Sequence, residues 1–290
     1  MCYNPGVIID SHTHIFPPEV IANRERYLRA DGGFAELYSD PSSRLATAEN
    51  LIDSMDNSGV DISIVCGFNW ERQELCAVSN DYILDAIGRY PSRLIGLATL
   101  RPDAGDAALY DFERCVSGGI KGIGEMRLPA ACLDISFDSL WTPVARLLAD
   151  RSLLCLFHSS EPVGHLYPGK SDMTPRVLYP FIKRFPEVRF ILAHWGGGMP
   201  FYELMPEVKK ALSNTWFDTA ASSYLYDPMI YKQVIQITGS ERILFGSDYP
   251  LLQQKRCIRD IRGIGLPGEE SLNILGLNAM KLLGIKDDTK

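Results

Sequence analysis

Eight short apolar runs, separated by amphipathic stretches, restrict what this 290-residue chain can fold into more than any other feature. They are Val7–Ile15, Asp61–Phe68, Arg93–Leu100, Ile120–Arg127, Leu153–Ser159, Val188–His194, Trp216–Ala221 and Arg242–Asp248. Most are continuous rather than alternating, which is the pattern of parallel strands covered on both faces. Helical periodicity fills the intervals at Ser43–Asn57, Ser79–Tyr90, Ala104–Ser117, Phe137–Asp150, Thr174–Phe185, Phe201–Leu212 and Pro228–Thr238, and Ser271–Leu283 closes the chain. Gly59, Gly118 and Gly239 stand where helices should stop, and Pro91 and Pro186 mark similar boundaries. This alternation predicts an α/β chain folded as one (β/α)8 TIM barrel over residues 1–290. No GxGxxG follows the first run, which speaks against a dinucleotide-binding sheet. Two connections exceed what packing requires, Phe16–Pro41 after strand one and Ser159–Met173 after strand five. Both are predicted as insertions on the face where barrel enzymes build their pockets. A surface excursion or dimer contact is the alternative for the first.

A hydrophobic content of 46% is enough for a large core, and a formal net charge of −7 disfavours nucleic acid and anionic membranes as partners. A small-molecule substrate is expected instead. No run approaches the roughly 20 apolar residues of a membrane span. Met1–Gly6 is short and polar, so no N-terminal signal is expected. The 7 cysteines, with no CxxC pair, are expected as free thiols in a reducing cytoplasm.

The chemistry sits at the ends of the runs. The first holds Asp10-Ser-His12-Thr-His14, the fifth reaches His158, the sixth ends at His194 and the eighth at Asp248. Residues two apart on a strand share a face, so His12 and His14 should both enter the barrel and reach one ion. Asp10 has the same parity one pleat deeper and is expected to orient a ligand. Imidazole and carboxylate together bind zinc and related divalent metals, which activate water near neutral pH.

This set, together with His194-Trp-Gly-Gly-Gly198 and Phe245-Gly-Ser-Asp248-Tyr-Pro250, resembles the amidohydrolase superfamily. The likeness is to its amidohydrolase-related branch, which holds aminocarboxymuconate semialdehyde decarboxylase and many metal-dependent hydrolases. The resemblance implies that His12, His14, His158 and Asp248 are metal ligands. It implies that His194 binds a second metal or serves as catalytic acid or base, and it raises the expectation of a homodimer. Glu125, ending the fourth run in Gly122-Ile-Gly-Glu125-Met-Arg127, resembles the bridging glutamate of TatD-like nucleases. It is therefore a candidate sixth ligand and decides between one ion and two; binding substrate or pairing with Arg127 are the alternatives. Zinc is the first expectation, with manganese, cobalt or iron possible.

Arg127 should reach the barrel mouth, where a guanidinium can fork a carboxylate or phosphate. His165, Lys170 and Trp195 complete the candidate substrate-binding set; Trp195 is a potential pocket wall beside three glycines. The leading expectation is a hydrolase, in which Asp248 helps metal-bound water attack a C–O or C–N bond of a small carboxylated or cyclic substrate. The alternative is a nonoxidative decarboxylase of an aromatic or enol carboxylate. A non-enzymatic metal-binding protein is the third.

Overall fold

The computed structural model describes residues 6–285. Cys2 and most of Met1–Gly6 lie outside the described residues. Its eight strands are β1 Ile9–His14, β2 Ile62–Cys66, β3 Leu94–Leu97, β4 Gly122–Met126, β5 Leu154–Phe157, β6 Arg189–Leu192, β7 Thr215–Asp218 and β8 Ile243–Leu244. β1–β2–β3 and β4 through β8 form two parallel ladders. Parallel bridges Ala98↔Ile123 and Thr13↔Tyr249 join their edges, so the two arcs close into one ring. The predicted barrel is therefore present. β4 can lie this close to β5 because Gly122 has no side chain: a Cβ there would stand 2.1 Å from the Leu154 carbonyl oxygen.

Ile9, Ile64, Leu97, Leu154, Leu156, Ile191 and Leu244 meet in one apolar cluster, which the C-terminal helix Asn278–Leu283 joins through Ala279, Met280 and Leu282. A second, larger cluster joins the other strand face to the surrounding helices. Two irregularities re-aim what the ring encloses. In β1, Asp10 pairs with Ser63 but Thr13 with Val65, so β1 carries one extra residue. In β4, Ile123 pairs with Cys155 but Met126 with Phe157, the same offset. Such bulges break the two-residue alternation and redirect side chains. Asp10 consequently does not share the face of His12 and His14, as the parity argument expects. It accepts from Gln254 Nε2 at 2.8 Å, on the helix Gln254–Gly263, and from Ser247 Oγ at 2.6 Å.

That helix is absent from the sequence reading, because its surface is so strongly charged that only Gln254, Ile258 and Ile261 mark a buried stripe. The predicted Phe201–Leu212 helix is broken into a 3-10 segment Met199–Leu204 and a helix Pro206–Ala211, with Pro206 opening the second piece. The insertion after β1 folds into short helices Pro18–Ala22, Arg24–Ala30 and Gly32–Tyr38. Phe16, Tyr27 and Phe34 pack there on Phe68 and Trp70, which follow β2. The insertion after β5 is irregular, and its ends meet where Ser160 N donates to Met173 O at 2.9 Å. Cys66, Cys76, Cys115, Cys132, Cys155 and Cys257 are free thiols. Among the described residues no helix is long and apolar enough to cross a membrane.

Candidate metal centre

The C-terminal ends of β1, β4, β5, β6 and β8 bring all six candidate ligands to one place. His12 Nε2 and His14 Nε2 lie 3.0 Å apart. Glu125 Oε2 faces this pair at 3.6 and 3.5 Å, and Asp248 Oδ1 faces it at 3.7 and 3.4 Å. The other oxygen of Glu125 faces the second pair, at 2.9 Å from His158 Nδ1 and 3.3 Å from His194 Nε2. His12, His14 and Glu125 thus form one potential ligand group and Glu125, His158 and His194 another. Glu125 belongs to both.

The far side of three of the imidazoles explains their orientation. His12 Nδ1 donates to Asp218 Oδ2 at 2.8 Å, and His194 Nδ1 donates to the Ala220 carbonyl at 3.1 Å. With those protons placed, a neutral ring presents a lone pair at Nε2 toward the cluster. His158 bonds Ser160 Oγ through Nε2 at 3.1 Å and turns Nδ1 inward. Inward lone pairs facing two carboxylates repel unless a cation or protons intervene, so the donor chemistry of this cluster fits a divalent ion.

Without such an ion, protons take its place. Burial opposes charge on His12, but Asp218 and Glu125 outweigh it and raise its pKa well above the usual range. His194 behaves alike: burial lowers it, yet the Glu125 hydrogen bond and Asp248 lift it to about 9. Burial wins at His158, whose pKa falls. Glu125 and Asp248 are pulled down by their histidines against their own burial.

Backbone strain concentrates at the same place. His194, Trp195, Ala221 and Asp248 adopt left-handed φ of 55, 57, 54 and 62°. His194 through Gly198 all have positive φ and form a left-handed turn, closed where Gly197 N donates to the His194 carbonyl at 3.2 Å. Gly197 is required there, since a Cβ would approach Ser160 O to 2.3 Å. The glycines therefore turn the chain out of β6 so that His194 points inward.

A cavity of about 580 Å³ opens over the cluster, bounded by Tyr38, Phe68, Arg127, His165, Tyr167 and Tyr224 among others. Of the residues expected to meet substrate, Arg127 and His165 line it. Arg127 is already paired: its guanidinium donates to Glu36 Oε2 at 2.7 Å and to the Gly169 carbonyl at 3.3 Å. Glu36 also accepts from Gly169 N at 3.0 Å, so this trio clasps the two insertions together.

Lys170 and Trp195, both expected to meet substrate, do not line the cavity. The Lys170 ammonium donates to the carbonyls of Val163 and His165 at 2.6 and 3.1 Å and braces its own loop. Trp195 is fully buried against Tyr231, with Nε1 donating to Ser222 Oγ at 2.6 Å, and does not wall the cavity. Asp10, expected to orient a ligand side chain, instead accepts the backbone N–H groups of His12 and Ser247 at 3.2 and 2.9 Å.

Sequence reasoning missed Asp218, Glu36 and Arg44. Asp218 ends a run already read as a strand, and that strand-end position was the available signal. Glu36 and Arg44, which both line the cavity, lie in or beside the first insertion, where polar residues are common and carry no distinguishing pattern.

Comparisons with known proteins agree with this geometry. A curated 2-amino-3-carboxymuconate-6-semialdehyde decarboxylase of Dictyostelium discoideum is 21% identical, the alignment covering 96% of this chain and 91% of that protein. The crystal structure of 5-carboxyvanillate decarboxylase from Sphingomonas paucimobilis superposes with a TM-score of 0.76 at 18% identity, covering 97% of this chain and 99% of that one. The 5-carboxyvanillate decarboxylase of Novosphingobium aromaticivorans, solved with bound manganese and a nitrobenzoic acid, gives the same TM-score of 0.76 at 18% identity, covering 97% of each chain. These relatives are decarboxylases, so the likeness falls on the alternative expectation rather than on the hydrolase. The family model described as Amidohydrolase matches residues 9–285, and the chain belongs to that family.

Proposed function

We propose that the protein is a metal-dependent nonoxidative decarboxylase of a small aromatic or enol carboxylate. The observation that carries this reading is the likeness to a decarboxylase along 96% of the chain, joined to a cavity that fits such a substrate. Tyr38, Phe68 and Tyr167 offer flat apolar walls to a planar ring, and Arg44 and Arg127 add positive charge.

His12, His14, His158, Glu125 and Asp248 would hold a divalent ion, which when bound would supply positive charge to orient substrate oxygens and to offset the negative charge left when carbon dioxide departs. The chain supplies the rest. In the reaction the C–C bond to the carboxylate breaks, its electron pair stays on the substrate carbon, and that carbon takes a proton. His194 suits the donor role. Its Nδ1 proton is tied to Ala220, so the proton it can exchange sits on Nε2, inside the site. Asp248, held ionised by the surrounding histidines, keeps that imidazolium charged until transfer.

The test offers a panel of aromatic and enol carboxylates, lactones and amides to protein loaded with zinc or manganese and to chelator-treated protein. Carbon dioxide release that needs metal is expected. Metal-dependent opening of lactones or amides, with no carbon dioxide from any acid, would return the hydrolase reading to first place.

A further inference from the structure

β7 contributes no ligand to the centre, yet its last residue touches two of the centre's histidines, His12 and His194. We propose that Asp218 is the positioning residue that sets the tautomers of both His12 and His194. This deepens the reading of the site as a divalent-metal centre and rests on it.

Asp218 is fully buried, and its two oxygens are divided between two tasks. Oδ2 accepts Nδ1–H of His12 at 2.8 Å. Oδ1 accepts the backbone N–H of His194 at 2.9 Å and that of Ala220 at 3.0 Å. The second contact works at one remove: Ala220, held by its N–H, turns its carbonyl to His194 Nδ1 at 3.1 Å. A carbonyl only accepts, so Nδ1 of His194 must carry a proton, as Nδ1 of His12 must opposite a carboxylate. One carboxylate on β7 thereby makes histidines from β1 and β6 both present Nε2 to the cavity. The same hydrogen bond to the His194 amide steadies the left-handed backbone there. Close approach is built in: a Cβ on Gly246 would stand 2.9 Å from His12 Cβ and 3.3 Å from Asp218 Cγ, so glycine keeps the space between them open.

Shape alone cannot do this. An asparagine in place of Asp218 has the same outline but one acceptor and one donor. If its oxygen keeps the two backbone amides, its NH2 faces His12 Nδ1, and His12 must move its proton to Nε2, where the ligand lone pair should be. If its oxygen keeps His12, the NH2 collides with two N–H donors.

The chain has only 5 histidines, so protein labelled with 15N at histidine alone gives a spectrum that can be assigned by substitution. Ring 15N shifts of zinc-loaded protein report which nitrogen carries the proton, and competition with a chromogenic chelator reports zinc affinity. The expected result is Nδ1–H at His12 and His194 in the wild type. Asp218→Asn should lose the His12 Nδ1–H signal and bind zinc about tenfold or more weakly, the scale expected when a group orienting a ligand is lost. A purely structural role would lower the melting temperature without moving the proton. The proposal is overturned if the zinc-loaded wild type carries the His194 proton on Nε2 alone, or if folded Asp218→Asn keeps both Nδ1–H signals and wild-type affinity. Should Asp218→Asn not fold, the wild-type spectrum decides alone. A wild type that binds neither zinc nor manganese overturns the metal reading, and this proposal with it.

Discussion

At Glu125 one side chain faces four imidazoles, with one oxygen toward His12 and His14 and the other toward His158 and His194. Its negative charge matters more than its volume, because histidines facing an uncharged amide would meet a donor as readily as an acceptor. Glu125→Gln should therefore fold, with metal affinity reduced by about tenfold or more, which is about 1.4 kcal/mol. Metal content of the purified variant, read by mass spectrometry against wild type, checks this; full loading would remove Glu125 from the ligand set. Arg127 poses a different question, since its guanidinium is held by Glu36 before any substrate arrives. If Arg127 serves mainly as a clasp, Glu36→Gln and Arg127→Ala should raise KM alike. If it binds the substrate carboxylate, Glu36→Gln should lower KM while Arg127→Ala raises it. Steady-state kinetics on both variants separate the two.

At the scale of elements, the helix Gln254–Gly263 holds β1 and β2 from outside. Gln254 donates to Asp10 Oδ2 and to Ser63 Oγ, and accepts from Ser54 Oγ at 2.9 Å on the helix Ala48–Ser58. Asp10 in turn holds the backbone amides of His12 and of Ser247, the residue before Asp248. Burial raises the Asp10 pKa to about 6, against donors from Ser247 and Gln254 that lower it. The folded pKa exceeds the unfolded value of about 3.9, so the folded state binds this proton more tightly. The contribution of Asp10 to stability is then full below about pH 4 and declines as pH rises through about 6. Gln254→Leu removes a donor to the carboxylate and should push that pKa further up. It should destabilise metal-free protein by about 1–3 kcal/mol at pH 8 and by less at pH 5, checked by urea unfolding at both. Equal losses at the two pH values would mean that Asp10 does not titrate between them.

Across the whole molecule, the ring gathers ligands from strands far apart in sequence, and any ion bound there is linked to folding. Chelation should lower the melting temperature of the chain, and restored zinc or manganese should raise it in proportion to the logarithm of free metal. A melting temperature indifferent to metal would place the ion outside the folded centre.

Much of this was legible in one dimension. The apolar runs specified parallel strands, because strands buried on both faces must be apolar throughout. His12, His14, His158, His194 and Asp248 stood out because polar groups at the ends of such runs need a partner. Three things were not legible. The extra residues in β1 and β4 leave the apolar pattern almost unchanged, yet they put Asp10 on the helix side and turn His12 and Glu125 inward. Lys170 and Trp195 had the right chemistry near the site, but where they point depends on backbone geometry that no local spacing encodes. Asp218 looked like an ordinary strand-end acid, since hydrogen bonds to β1 and β6 have no trace in its own neighbours. The amino-acid pattern alone specified the eight strands and most of the ligand chemistry, since hydrophobic periodicity is local and metal donors are few. Only closure of the ring decided which side chains share the centre and which tautomers they hold, because both follow from bulges, left-handed turns and hydrogen bonds between distant strands.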